Sequence, residues 1–337
     1  MTGLSGLSGR RVLVVGNFGN GNTGDEALLA RALQELPATA EVNVLSRNPR
    51  MVEWTHAVPA RPMTPLAFAA ALRWCQAVLV VGGGMFGAGL PPLVRLLPSV
   101  VAAAQAAGRD TFYLAIGVYP GTPPLALRGL RAAARAGRIT VRDELSVRTL
   151  GVAAPNVGDL ALRLEPESPE AADRALVAAG VDRDRPLLLL SLKALPSAER
   201  MGVAVDSCLR AARRWRDHGG EVAAVALSTH ADYGLGLARR DSVLAGELAE
   251  RLGADVPVVG PQLPPGLAKA VVGRASAVLG LRLHALVFAV GSGVPCAGFA
   301  WEEKTRAFLA ESAGATAVSG VDEVEDWVER TVTEVVV

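Results

Sequence analysis

The sequence predicts two α/β domains in series, each built on a doubly wound parallel sheet. Short, mostly aliphatic runs alternate with longer segments rich in alanine, leucine and arginine along the chain. Runs of about three to six apolar residues that end in glycine or a polar turn are typical of strands buried on both faces. The chain has 337 residues, whereas a domain usually has about 150. Two hydrophobic cores are therefore expected.

In the first half, aliphatic runs predict strands and the segments between them predict helices. The strands are expected at 12–15, 42–45, 78–81, 111–116 and 139–141, and the helices at 25–36, 65–75, 92–107 and 124–136. The same alternation restarts in the second half. It predicts strands at 187–192, 221–227, 256–259, 276–280 and 295–299, and helices at 198–217, 239–252, 265–273 and 283–291.

The alternation breaks between the halves at an acidic, proline-bearing stretch, Glu165–Pro169. Such a composition is typical of a linker between domains. The expected organisation is a first domain over 1–164, a second over 165–320, and a C-terminal helix and tail over 321–337.

Charge and cysteine content exclude several classes of protein. The 34 Lys and Arg residues nearly balance the 33 Asp and Glu residues, for a net charge of +1, which argues against a general nucleic-acid binder. The three cysteines are odd in number and lie far apart, so neither a disulfide framework nor a zinc knuckle is expected. This cysteine use favours a reducing, cytoplasmic compartment. The uncharged stretches 77–94 and 283–301 contain several Gly and Pro residues, so they are not expected to span a membrane.

In open parallel sheets, ligands bind beyond the carboxyl ends of the strands, so the residues that follow each strand are the informative ones. After the first strand, Gly19, Gly21 and Gly24 have the spacing of a dinucleotide-binding loop, and a similar set follows the third strand. However, Asp25 and Glu26 occupy the first turn of the next helix, where they would repel a pyrophosphate. Tight packing of helices on strands explains the glycines alone, but it does not explain Asn17 and Phe18, which lie between Gly16 and Gly19.

Cationic side chains follow strands in both halves. Arg142 comes directly after a buried run and is expected at the mouth of the sheet, where it can bind a phosphate or carboxylate, although a plain ion pair is the alternative. Arg282 and His284 open the helix after strand 276–280, and Lys304 follows the last predicted strand. A histidine at this position can exchange a proton near neutral pH, whereas a purely structural histidine is the alternative.

Five motifs, in this order, resemble the polysaccharide pyruvyl transferase family, especially its cell-surface branch. They are Asn22–Glu26, Gly82–Gly84, Val141–Ser146, Arg282–Ala285 and Gly293–Lys304, and the resemblance covers about residues 10–312. It implies a GT-B-like architecture, with two Rossmann-like domains facing each other across a cleft. It also implies transfer of the enolpyruvyl unit of phosphoenolpyruvate to two hydroxyls of a sugar, forming a pyruvate ketal and releasing phosphate.

The resemblance assigns roles to particular residues. Arg142, His284 and Lys304 match the family's residues around phosphoenolpyruvate, with Arg142 and His284 catalytic, and we expect Arg282 to assist in binding the anion. Asn17 and Phe18 match the loop on the acceptor side, where we also expect contacts from Asn22 and Asp25. Family members often carry an aromatic residue where this chain has Asn17, which leaves Phe18 as the expected stacking platform for a sugar.

The implied partners follow from the same resemblance. Phosphoenolpyruvate is a co-substrate, and neither a cofactor nor a metal is expected. The implied acceptor is a polyprenyl-diphosphate-linked disaccharide that contains N-acetylmannosamine. The expected location is the cytoplasm, at the inner face of the membrane, with at most peripheral membrane contact and no nucleic-acid partner.

Two other functions remain open from the sequence. A GT-B glycosyltransferase or a sugar-nucleotide epimerase has a similar architecture, but it would need an acidic pair in the second domain to hold a ribose. The third interpretation is a non-catalytic binding protein of cell-envelope assembly, which would have no use for Arg142, His284 and Lys304 at strand ends.

Overall fold

The computed structural model describes residues 3–87, 97–229, 241–253 and 256–336. Contacts divide the chain into two compact units, Met1–Leu164 and Glu165–Val337. Each unit is an α/β domain with its own parallel sheet, and each is described here by itself.

The described residues of the first unit form a six-stranded parallel sheet in the order β3-β2-β1-β4-β5-β6. Its strands are β1 Arg11–Val15, β2 Glu41–Ser46, β3 Ala60–Pro62, β4 Ala77–Val81, β5 Asp110–Ile116 and β6 Ile139–Val141. Its helices are α1 Thr23–Glu35, α2 Pro49–His56, α3 Pro65–Trp74, α4 Leu97–Ala106, α5 Pro124–Arg135 and α6 Glu144–Leu150.

The described residues of the second unit repeat this arrangement, with the sheet order β12-β11-β10-β7-β8-β9. Its strands are β7 Leu187–Ser191, β8 Glu221–Val225, β9 Val258–Val259, β10 Ala277–Gly280, β11 Cys296–Phe299 and β12 Ala315–Val318. Its helices are α7 Pro169–Ala178, α8 Ala198–Asp217, α9 Asp241–Leu252, α10 Pro265–Gly273, α11 Leu283–Gly291, α12 Glu303–Glu311 and α13 Val321–Val336.

The predicted fold class, two parallel α/β sheets covered by helices, is confirmed. In each unit the chain order of the strands reverses direction once, between β1 and β4 and between β7 and β10. A ligand crevice normally forms at such a switch point, beyond the carboxyl ends of the two strands. This strand order therefore places candidate sites after β1 and β4 in one unit and after β7 and β10 in the other.

The elements missed by the sequence prediction are short or lie at a sheet edge. Strands β3 and β12 are edge strands whose residues are mostly half-buried, so they lack the fully apolar runs of the central strands. The short helices α2 and α6 and the charged helix α12 also escaped prediction. The parts of predicted helices at 92–96 and 239–240 lie outside the described residues.

Helices α3, α4 and α5 pack into one core layer on the first sheet. Ala71 of α3, Val101 of α4 and Leu130 of α5 belong to the same buried cluster as Leu13 of β1 and Val80 of β4. Because the apolar residues of these helices meet the same side of the sheet, the three helices cover one face of it. Among the described residues, no helix is both long and apolar enough to cross a bilayer.

Candidate active site

Polar residues of the loop between β1 and α1 surround Asp25. Its Oδ2 atom accepts hydrogen bonds from the side-chain amides of Asn17 at 2.8 Å, Asn22 at 3.0 Å and Asn20 at 3.4 Å. Asn22 also caps α1, because its Oδ1 accepts the Gly24 N–H at 3.1 Å. The structure thus brings together three of the predicted acceptor residues and adds Asn20, which the motif comparison missed although it lies in the same loop.

Glu26, the next residue, holds the other end of this loop. Its Oε1 accepts the backbone N–H of Gly19 at 2.8 Å, and its Oε2 lies 2.9 Å from His56 Nε2 at the end of α2. Both side chains are almost fully buried. Gly19 has φ +73°, and a Cβ there would come within 2.1 Å of Ser46 Oγ, so glycine is required at this turn.

Phe18 does not have the exposed position expected for sugar stacking. Its side chain is 1% exposed, and its ring lies against Gly16, where an added Cβ would be 2.3 Å from the ring. A buried ring offers no free face to a sugar, so Phe18 is part of the core. The sequence pattern could not reveal this, because an aromatic residue in a glycine-rich loop is compatible with either position.

Arg142 is buried in a polar cluster at the carboxyl end of β6. Its guanidinium donates to the Tyr119 hydroxyl from Nε at 2.9 Å and also from Nη2, and it donates to Asp159 Oδ2 from Nη1 at 3.4 Å. The Tyr119 hydroxyl in turn donates to Asp143 Oδ2 at 2.8 Å. The Arg142 side chain is only 4% exposed, so the expectation of an open guanidinium at the mouth of the sheet is wrong for this structure.

The charges of this cluster do not leave Arg142 available to an anion. One guanidinium faces two buried carboxylates, Asp143 and Asp159. Burial disfavours the charged guanidinium, yet Tyr119, Asp159 and Asp143 hold the pKa of Arg142 above its ordinary value. Burial likewise raises the pKa of the Tyr119 hydroxyl, which therefore stays protonated. The cluster carries a net charge of about −1, as expected from one cation and two carboxylates.

In the second unit, two lysines flank one carboxylate. Lys193 follows β7, and its Nζ forms an ion pair with Glu302 Oε1. Lys304 Nζ lies 3.3 Å from the other oxygen, Oε2. Burial and the positive charges of Lys304 and Arg282 lower the pKa of Lys193 to about 8, against the opposing attraction of Glu302. Burial alone would raise the pKa of Glu302, but the two lysines lower it to about 2.

Arg282 and His284 follow β10, the strand that lies between β11 and β7 in the sheet. Arg282 donates to both oxygens of Asp241, from Nε to Oδ2 at 2.7 Å and from Nη2 to Oδ1 at 2.5 Å. Asp241 is buried, whereas the Arg282 side chain remains 21% exposed. His284 is half-buried in the first turn of α11, with its ring centroid 6.4 Å from that of Phe288. The imidazole therefore lies at the helix end to which anions bind most readily.

The predicted cations of the second unit follow neighbouring strands, because β11, β10 and β7 are adjacent in the sheet. Lys304, Arg282 and Lys193 together face Glu302 and Asp241, which leaves one positive charge in excess. Lys193 was missed by the motif comparison. The signal that would have found it is its position, two residues after the last residue of a fully buried strand, together with the fact that the chain contains only three lysines.

Arg142 belongs to the first unit, and Arg282, His284 and Lys304 belong to the second. Their meeting around one substrate stays a prediction. Within the described part of the chain, no group of three His, Cys, Asp or Glu side chains is arranged to hold a metal ion.

Comparison with known proteins identifies the family. The model of the polysaccharide pyruvyl transferase family matches residues 22–303, which is well over half of the chain. The chain belongs to the polysaccharide pyruvyl transferase family. No curated protein sequence is significantly similar to it.

Solved structures that are similar to this chain have the GT-B-type fold. A putative UDP-N-acetylglucosamine 2-epimerase from Listeria monocytogenes is 12% identical with a TM-score of 0.61, covering 97% of this chain and 88% of that one. The UDP-GlcNAc 2-epimerase from Neisseria meningitidis, bound to UDP-GlcNAc, is 13% identical with a TM-score of 0.59, at coverages of 96% and 91%. A family 9 glycosyl transferase from Veillonella parvula is 10% identical with a TM-score of 0.56, at 97% and 98%. At such low identity the likeness shows the fold alone.

Proposed function

We propose that this member of the family transfers the enolpyruvyl unit of phosphoenolpyruvate to two hydroxyls of a sugar, forming a pyruvate ketal and releasing phosphate. One observation carries the proposal: Lys193, Arg282 and Lys304 follow three adjacent strands of the second sheet. Phosphoenolpyruvate carries about three negative charges near neutral pH, so its site needs several fixed cations. The N-terminus of α11 adds backbone N–H groups to the same sheet edge.

In this proposal the two lysines and Arg282 have different tasks. Lys193 and Lys304 bind the phosphate, with Glu302 holding the two ammonium groups in place. Arg282 is held by both oxygens of Asp241, and its exposed part faces the substrate. Arg142 is not a phosphate ligand in this scheme, because its guanidinium is buried and bound to Tyr119 and Asp159. It acts as a positioning residue for the glycine loop after β4, since an added Cβ on Gly84 would lie 3.7 Å from Arg142 Nη2.

The proposed chemistry begins with a proton transfer to carbon. Protonated His284 donates a proton to the methylene carbon of phosphoenolpyruvate, which makes a methyl group and leaves the adjacent carbon electrophilic. One acceptor hydroxyl adds to that carbon, and the proton that it loses returns His284 to its protonated form. A second hydroxyl then forms the other C–O bond as the C–O bond to phosphate breaks, and its proton leaves with the phosphate. The residues provide acid catalysis and charge stabilisation, and phosphoenolpyruvate acts as a co-substrate with no further cofactor.

The first unit suits the acceptor in this proposal. Asn17, Asn20 and Asn22 surround Asp25 at the end of β1, and amide groups can both donate to and accept from sugar hydroxyls. We further propose that the acceptor is a polyprenyl-diphosphate-linked disaccharide with N-acetylmannosamine, used at the cytoplasmic face of the membrane. The resemblance of the motifs to the cell-surface branch supports this choice.

The decisive experiment measures phosphate release from phosphoenolpyruvate with a lipid-linked acceptor. We expect His284→Ala to lower kcat by about 10²–10⁴-fold, because a general acid contributes that much. Lys193→Ala is expected to raise the KM for phosphoenolpyruvate about tenfold or more, since a charge-assisted contact is lost. His218→Ala, an exposed histidine at the end of α8, serves as the control and should leave both constants unchanged.

Other outcomes would select another function. Release of a nucleoside diphosphate from UDP-GlcNAc or a related sugar nucleotide, with no turnover of phosphoenolpyruvate, would indicate a glycosyltransferase or an epimerase. If neither donor turns over and phosphoenolpyruvate does not bind, a non-catalytic role in envelope assembly replaces the proposal. An unchanged rate in His284→Ala would refute the assigned acid.

A further inference from the structure

Positive charge is concentrated in one part of the chain. The sequence from Trp54 to Arg138 contains eight arginines and a single acidic residue, Asp110. Eight positive charges and one negative charge give this stretch a formal charge of +7, whereas the whole chain has +1, so the rest of the chain carries −6. Asp110 is itself engaged by Arg10 and Arg138. A stretch with many positive charges and a single negative charge is typical of a surface that binds anionic partners.

In the fold, much of this stretch forms the layer of α3, α4 and α5 on one face of the first sheet. None of these helices contains an Asp or Glu residue. Arg73 of α3 and Arg128 and Arg135 of α5 are exposed, and none of the three forms an ion pair with a described residue. Their guanidinium groups therefore have no counter-charge within the part of the molecule that the structure describes.

The same layer exposes large apolar side chains at its edge. Leu66 is 86% exposed in the first turn of α3, and Leu125 is 81% exposed in the first turn of α5. Both helices begin just after parallel strands, so both leucines lie toward the carboxyl edge of the sheet. On α5, helical spacing puts Leu125 on the same side as Arg128 and Arg135. A single exposed leucine is ordinary, but two at one edge of an acid-free layer form a repeated pattern.

We infer that this layer, with Leu66, Leu125, Arg73, Arg128 and Arg135, is the surface by which the protein docks on an anionic lipid bilayer. The leucines enter the boundary between headgroups and acyl chains, and the arginines bind lipid phosphates. Nucleic acid is the other common polyanion, but it offers no apolar medium for leucines at helix ends. The bilayer therefore matches both kinds of side chain.

This inference goes beyond the proposed chemistry and holds whatever sugar is the acceptor. With the helix layer flat on the bilayer, Leu66 and Leu125 insert next to the carboxyl edge of the first sheet, because both lie in the first turns of their helices. The loop between β1 and α1, with its asparagines around Asp25, lies at this edge. A substrate held in the bilayer would then reach that loop without leaving the membrane.

The test is co-sedimentation of the full chain with vesicles. We expect binding to vesicles of phosphatidylglycerol and phosphatidylcholine at 0.1 M salt, little binding to phosphatidylcholine alone, and weaker binding in 0.5 M salt, where screening is stronger. Replacing both leucines (Leu66→Gln with Leu125→Gln) should lower the partition coefficient about tenfold or more. Replacing two arginines (Arg128→Gln with Arg135→Gln) should lower it about 25-fold, since each contributes about fivefold near an anionic surface.

Matched controls lie elsewhere on the protein. Trp54→Gln removes an exposed aromatic side chain of α2, and the pair Arg213→Gln with Arg330→Gln removes two exposed arginines of the second unit. These variants should bind like the unaltered protein, and circular dichroism should show that all variants are folded. Equal binding to neutral and anionic vesicles, a loss in the controls as large as in the test variants, or displacement from vesicles by a DNA duplex at equal phosphate concentration would each overturn the inference.

Discussion

The two sheets of this protein have the same strand order, but the cationic side chains at their carboxyl ends differ in exposure and in the number of carboxylates around them. In the first unit, Arg142 is 4% exposed and faces two buried carboxylates. In the second, Lys304 is 41% exposed and shares one carboxylate with Lys193. The same kind of position, a cation after the carboxyl end of a buried strand, thus produces a closed internal network in one unit and an open cationic edge in the other.

The role of a cation at the end of a strand therefore depends on the side chains that surround it. Arg142 meets Tyr119, Asp143 and Asp159, which come from three separate loops and together outweigh its charge. At the carboxyl edge of the second sheet, Lys193, Arg282 and Lys304 outnumber the two carboxylates that pair with them. Positive charge at the end of β6 in the first unit is therefore compensated within the protein, whereas positive charge at the carboxyl edge of the second sheet remains in excess.

The largest effect is expected from breaking the closed network. Arg142→Gln leaves Asp143 and Asp159 buried without their cation and should lower the free energy of unfolding by about 3–5 kcal/mol. Lys304→Gln, the matched change at the open edge, should lower it by less than about 1 kcal/mol, because the lysine is well exposed. Urea denaturation of both variants measures the contrast. Equal losses of stability would show that the two cations are held alike.

A smaller effect concerns pH at the open edge. With its pKa lowered to about 8, Lys193 is protonated at pH 7 and loses its charge as the pH rises through 8. We expect kcat/KM for phosphoenolpyruvate to fall about fivefold between pH 8 and pH 9, because the protonated fraction of Lys193 falls from about one half to about one tenth. Lys193→Arg keeps the charge and should move this alkaline limb to higher pH. An identical limb in the variant would mean that another group titrates.

The smallest effect is expected at the start of α1. Asn22→Ala removes the helix cap and one of the amides bound to Asp25, which should cost about 1 kcal/mol of stability and raise the KM for the acceptor. Ser168→Ala removes the comparable cap of α7 and should cost a similar amount with no change in that KM. If both variants have the same acceptor KM, the asparagines serve the fold alone.

Much of the fold was readable from the sequence because its central strands are continuous aliphatic runs. Residues 187–192 and 78–81 are buried throughout, and burial on both faces requires such runs. Edge strands β3 and β12 were missed because solvent reaches them and relaxes that requirement. The candidate site was only partly readable: the rule of inspecting strand ends identified Arg282, His284 and Lys304, but nothing local indicated that Lys193 would pair with Glu302, 109 positions later.

By itself, the sequence determined two parallel α/β sheets in series and the family to which the chain belongs. Hydrophobic runs and motif order are local properties, and each segment carries them without its neighbours. Only the tertiary structure decided that Phe18 is core and that Arg142 is enclosed. Burial and charge compensation depend on which distant side chains meet: Gly16 accommodates the Phe18 ring, and Tyr119 with Asp159 surrounds the guanidinium of Arg142.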